Sequence, residues 1–208
     1  MKTNPNLFHS ASRGGFTLVE LLTVVALLGI LATASSAALA GLGKSSRLNT
    51  SGRTLANLLT IARTEAISRN TLTRLAIATT WPSQPAEAYR RASVWYYTDR
   101  DKAASDPTAW TQLGRWEKLD EGIAVQAVVA NKLPGAYLET LTTTNSLPAA
   151  GSTANTVSVQ FGPSGALNIP GLASSPARIR IAESTGNTNN WFDIGVDRLT
   201  GRSKFSRP

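Results

Sequence analysis

The chain has 208 residues, enough for one globular domain with an appendage. Its 21 Lys and Arg against 13 Asp and Glu give a net charge of +8. Cys is absent and His9 is the single histidine, which excludes disulfides, thiol nucleophiles, His-based triads and multi-histidine metal sites within one chain.

Residues 1–15 are polar, with Lys2 and Arg13 and no acid. From Phe16 the chain turns apolar, and no Asp, Glu, Lys or Arg occurs from Leu21 to Gly43. As a helix that run reaches roughly 35 Å, enough for a hydrocarbon core of about 30 Å. Charge bias keeps the Lys2/Arg13 end cytoplasmic, opposed by Lys44, Arg47 and Arg53 at the other end. Glu20 interrupts the apolar run near its start. A carboxylate at the bilayer centre costs about 2.5–3.5 kcal/mol on insertion scales, so it calls for a partner. A new amino terminus at Phe16, made by cutting after Gly15, would be such a partner, within one chain or from a neighbour. Two other readings stay open at this point. One is a secretory signal peptide cut after the small residues at Ala32–Ala34 or Ala38–Ala40; the other is an uncleaved anchor.

Leu48, Leu55, Leu59, Ala62 and Ala66 recur at helical spacing, with Arg47, Arg53, Arg63 and Arg69 on the opposite side. The spacing predicts one helix from about Thr17 to Arg69, stopped by Asn70. After it the period becomes two. Strands are expected at Leu72–Thr80, Ser93–Asp99, Thr156–Phe161, Arg178–Ala182, Trp191–Val196 and Arg202–Phe205, the last two around a Leu199–Gly201 turn. Leu113–Leu119 and Ile123–Val129 flank an Asp120–Gly122 turn and read as a hairpin. Trp81–Arg91, Arg100–Thr108 and the Thr-, Ala- and Pro-rich Lys132–Thr153 read as loops. The fold class is α+β: a long N-terminal helix, transmembrane in its first half, packed on an antiparallel β-sheet domain.

The segment GFTLVE, Gly15–Phe16 through Glu20, followed by LLTVVALLGILA, resembles the cleavage and methylation signature of type IV pilins and pseudopilins. Thr54–Asn70 is similar to the end of the N-terminal helix in H-type pseudopilins of type II secretion and related minor pilins. Phe161–Gly165 resembles their Phe-x-Pro-x-Gly turn, and Asp197–Arg202 their final hairpin. The resemblance implies a pilin-like protein in three parts: a cleaved leader 1–15, a transmembrane and assembly helix 16–43, and a periplasmic domain 44–208. It implies a prepilin peptidase that cuts between Gly15 and Phe16 and N-methylates Phe16, and a Glu20 that sets register in a filament. It also implies a single-pass inner-membrane protein with its C-terminal domain in the periplasm. Its partners would be other pseudopilins or pilins, and secreted cargo; its role is structural and calls for no cofactor.

Asp99, Asp101 and Asp106 share one loop, but Arg100 and Lys102 sit among them and no EF-hand pattern is present, so a solvated turn is the expectation and no metal site is assigned. Arg198, Arg202, Lys204 and Arg207 make the C-terminus basic. They are candidate DNA contacts, in which case the chain would be a type IV minor pilin for DNA uptake; the alternative is a charged edge strand. The Trp residues read as core or loop anchors. A membrane-anchored enzyme would need carboxylate or Ser-Lys chemistry, and Glu117, Asp120 and Glu121 read as a charged turn.

Overall fold

A computed structural model describes residues 15–126, 145–168, 177–184 and 190–206. The leader up to residue 14, with Lys2, His9 and Arg13, lies outside them, as do 127–144 and Arg207. The chain divides into two units, Met1–Gly43 and Lys44–Pro208. Helix α1, Leu18–Ser68, contributes its first part to one and its second part to the other.

In the second unit the predicted apolar stripe is the buried one: Leu48, Leu55, Leu59, Ala62 and Ala66 all join the main core. The helix ends where Asn70 takes a φ of 49°. Thr71 N–H donates to the Ala66 carbonyl at 3.2 Å and Asn70 N–H to Ile67 at 3.3 Å, the paired bonds of a Schellman cap.

Among the described residues nine strands follow: β1 Thr73–Ala78, β2 Arg91–Tyr97, β3 Trp110–Lys118, β4 Ile123–Val125, β5 Asn145–Ala149, β6 Ser152–Phe161, β7 Ala177–Glu183, β8 Trp191–Val196 and β9 Ser203–Ser206. They form two sheets, ordered β3-β2-β1-β6-β5 and β4-β7-β8-β9, with antiparallel pairing throughout. Leu75, Ile77, Val94, Val159 and Phe161 of the first sheet meet Ile123, Val125, Ile179, Ile181, Ile194 and Val196 of the second in one core under α1. Two polar clips tie the helix to this core. Thr73 Oγ1 donates to the Ala62 carbonyl at 2.6 Å. Ser51 Oγ donates to Asp120 Oδ2 at 3.1 Å and accepts from Asp120 N–H at 3.0 Å.

The other face of the first sheet has its own small core, in which Trp95, Trp110, Ala76 and Leu147 pack together. Arg74 of β1 is fully buried there, its guanidinium 3.9 Å from the Trp110 ring centre, and burial pulls it down to about 9. Trp81 and Trp116 meet edge to face at 5.5 Å. These tryptophans are anchors, as expected.

Two expectations are corrected. Leu113–Leu119 and Ile123–Val129 are not a hairpin. The Asp120–Gly122 turn forms, with Ile123 N–H donating to Asp120 O, but β3 pairs with β2 and β4 with β7. The turn carries the chain from one sheet to the other. The reading of Lys132–Thr153 as one loop is also corrected. Its part at 145–149 is strand β5, which pairs with β6 across Ala150 and Gly151, both at positive φ, the twist a two-residue hairpin needs. Residues 132–144 lie outside the described set.

The two C-terminal turns that carry the family resemblance interlock. Gly165 and Gly201 have φ of 78° and 64°. A Cβ on Gly201 would lie 2.0 Å from the Gly165 carbonyl oxygen, and one on Gly165 would lie 2.7 Å from Ile67 Cδ1. Arg63 of α1, expected on an open basic side, donates from Nε to the Thr200 carbonyl at 2.6 Å.

Candidate processing and assembly segment

The first unit carries Gly15, Phe16 and Glu20. Among the described residues a Cβ on Gly15 would meet nothing within 4 Å, and the backbone there is outside the left-handed region. Among the described residues, neither packing nor conformation requires glycine here. Phe16 is 84% exposed. Leu18, Val19, Leu21, Leu22, Val24, Val25, Leu27, Leu28, Ile30 and Leu31 are exposed too, so this stretch of α1 is apolar all round. Its hydroxyls are turned back on the helix: Thr23 Oγ1 donates to the Glu20 carbonyl at 2.9 Å, Thr33 to Ile30 at 2.8 Å and Ser35 to Leu31 at 2.7 Å. Among the described residues no helix is long and apolar enough to cross a membrane; the side chains at 34, 36–42 and 44 lie outside them.

Glu20 is satisfied locally. Thr17 donates to Glu20 Oε2 from its backbone N–H at 3.0 Å and from its hydroxyl at 2.9 Å. Glu20 N–H donates back to Thr17 Oγ1 at 3.2 Å. This is a capping box: the N-cap Thr and the third helical residue satisfy each other's orphan donors. Thr17 was missed at the sequence level, although its T-x-x-E spacing before an apolar run is the signal. In this uncut chain Phe16 has an amide nitrogen, so the carboxylate rests on Thr17 rather than on an amine.

The other candidates are dispersed. Arg198 is half-buried in the turn before β9, Arg202 and Lys204 are exposed, and Arg207 lies outside the described residues. Strand β9 is an edge of the second sheet. In the acidic loop, Lys102 sits 3.0 Å from Asp99 and holds its carboxyl below the usual range. Asp106 accepts from the Thr108 hydroxyl and N–H at 2.7 and 2.8 Å, which lowers its carboxyl as well. Among the described residues no group of three or more His, Cys, Asp or Glu is placed to hold a metal. Of the carboxylates read as a charged turn, Glu117 pairs with Arg115 at 3.0 Å and Asp120 caps onto Ser51.

Comparison with known proteins follows these lines. Residues 10–36 match the prokaryotic N-terminal methylation motif, which places the chain among the pilin-like proteins that carry it. Residues 51–198 match the model of type II transport protein GspH. The chain belongs to the GspH family, the H-type pseudopilins of type II secretion. Among solved structures it is similar to the minor pseudopilin EpsH from the type 2 secretion system of Vibrio cholerae, at 12% identity, a TM-score of 0.45, and coverage of 78% of this chain and 98% of that one. No curated protein matches it.

Proposed function

We infer that this chain is a minor subunit of a type II secretion pseudopilus, a structural protein rather than a catalyst. The observation that carries the reading is the wholly exposed apolar start of α1, broken by one carboxylate. Water does not tolerate such a surface. Lipid suits its apolar part, and a sheath of like helices suits both its apolar part and its charge. A prepilin peptidase cuts between Gly15 and Phe16 and methylates the Phe16 amine. The freed amine then gives Glu20 a cationic partner, in its own chain or in a neighbouring subunit. Gly15 supports this: among the described residues nothing requires a glycine there, whereas an enzyme that must reach the backbone does. Residues 16–43 serve as inner-membrane anchor and filament helix, and the domain from Lys44 onward lies in the periplasm, facing other subunits or cargo.

The absence of Cys makes the test clean. A single cysteine at Leu28, exposed in the chain, forms a disulfide under added oxidant with a single cysteine placed in the apolar helix of another pseudopilin when the full secretion system is present and not when its assembly ATPase is inactive. Equal cross-linking in both conditions, or none in either, overturns the filament reading. The DNA-uptake reading draws on exposed Arg202 and Lys204, but Lys204 stands on an edge strand and Arg202 just before it, which supplies a second reason for charge there.

A further inference from the structure

The outward face of the second sheet carries an unusual row. Ile179 and Ile181 of β7 are buried in the core, so strand alternation turns Arg178 and Arg180 to the opposite face. Register then sets Arg178 opposite Gly195, and Gly195 opposite Lys204. Two cations thus flank a glycine, about 10 Å apart across two strand spacings. Among the described residues neither Arg178 nor Lys204 has an ion-pair or hydrogen-bond partner.

Gly195 is the informative member. Its backbone is not left-handed, and a Cβ there would lie 3.6 Å from the Lys204 carbonyl oxygen, an ordinary contact. Neither a turn nor crowding requires glycine, and within a strand glycine weakens the sheet. A strand glycine of this kind suits close approach by a ligand or another backbone.

The adjacent row shows how this face treats a carboxylate. Arg180 holds Asp193 through two bonds, Nε to Oδ1 at 2.8 Å and Nη2 to Oδ2 at 3.0 Å, with the Trp191 ring 3.5 Å beneath the guanidinium. One row is filled by the chain's own acid; the next has two cations on either side of a part-exposed glycine.

We propose that the Arg178–Gly195–Lys204 row is a docking site for an acidic, extended segment of a partner protein, whose carboxylates take the two cations while its backbone lies over Gly195. A polyanion fits less well. Asp197 stands exposed in the turn beside the row, and the evenly spaced phosphates of a duplex covering this face would fall against it, whereas the carboxylates of a peptide can be spaced to avoid it. The proposal stands apart from the filament reading, since it concerns only the sheet domain, and its test reads direct binding.

Full-length protein in detergent micelles is titrated into a short fluorescein-labelled peptide of alternating Glu and Thr, and separately into a short labelled DNA duplex. Saturable, salt-sensitive peptide binding is expected, weakened about tenfold in R178Q/K204Q with no change in melting temperature. Should that variant fold poorly, Gly195→Val decides: it keeps both cations, favours the strand, and weakens peptide binding by putting a side chain between them. No peptide binding, undiminished binding in the variants, or tighter binding of the duplex through the same residues overturns the proposal.

Discussion

Replacing Gly201 by alanine tests the interlock of the two C-terminal turns. The φ of 64° costs an alanine about 1 kcal/mol by itself. The added Cβ also falls 2.0 Å from the Gly165 carbonyl oxygen and 3.1 Å from Arg63 Cδ. Backbone cannot yield as a flexible side chain does, and overpacking of this kind adds about 1–3 kcal/mol. The expected loss is about 3 kcal/mol, or roughly 10 °C in melting temperature for a domain of this size. Gly122→Ala is the matched control. It has a φ of 79°, and its Cβ meets nothing within 4 Å, so it pays the conformational term alone, about 1 kcal/mol. Urea denaturation of both variants in the same detergent measures the difference. If the two lose equal stability, the turns are not locked together as described.

Other outcomes follow from the same contacts. Ser51→Ala removes both bonds to the half-buried Asp120, to its carboxylate and from its N–H, and is expected to cost about 1 kcal/mol in urea denaturation; a neutral result rejects the clip. Asp193→Asn breaks a bidentate pair whose acid is buried, with an expected loss of about 3–5 kcal/mol; wild-type stability in the variant contradicts it. Asp99, Asp106 and Asp197 are held below their ordinary values, the first mainly by Lys102, the second by Thr108, the third by the Thr200 N–H. Their stabilising effect is therefore full above the ordinary carboxylate range near pH 4 and fades as pH falls through it and below. Denaturation midpoints should drop from pH 6 to pH 2.5, and a flat or rising profile refutes this.

The sequence made the periodic elements legible and hid the irregular ones. The Leu48–Ala66 stripe and the Asn70 stop were readable because a one-sided helix repeats its apolar residues and a left-handed cap favours few residue types. The Trp191–Val196 and Arg202–Phe205 hairpin was readable from alternation around a Gly turn. Strand β5 was not, since Pro148 and small residues hide its inward Leu147 and Ala149. The three-residue β4 carries too little pattern to reveal which sheet it joins, so two sheets looked like one. Arg74 reads as a surface residue until Trp110 is seen over its guanidinium. In the candidate site, Glu20 drew notice because charge is rare in apolar runs. Its partner Thr17 did not, because a hydroxyl at a helix start is unremarkable until its bonds are traced.

Mass spectrometry of the protein's N-terminal peptide, from cells with and without an active prepilin peptidase, bears most directly on the whole picture. The expected species are an N-methylated Phe16 start with the enzyme and an intact leader through Gly15 without it. A start at Ser35 or Gly41, or a leader retained in both strains, would show instead a signal peptide or a plain anchor.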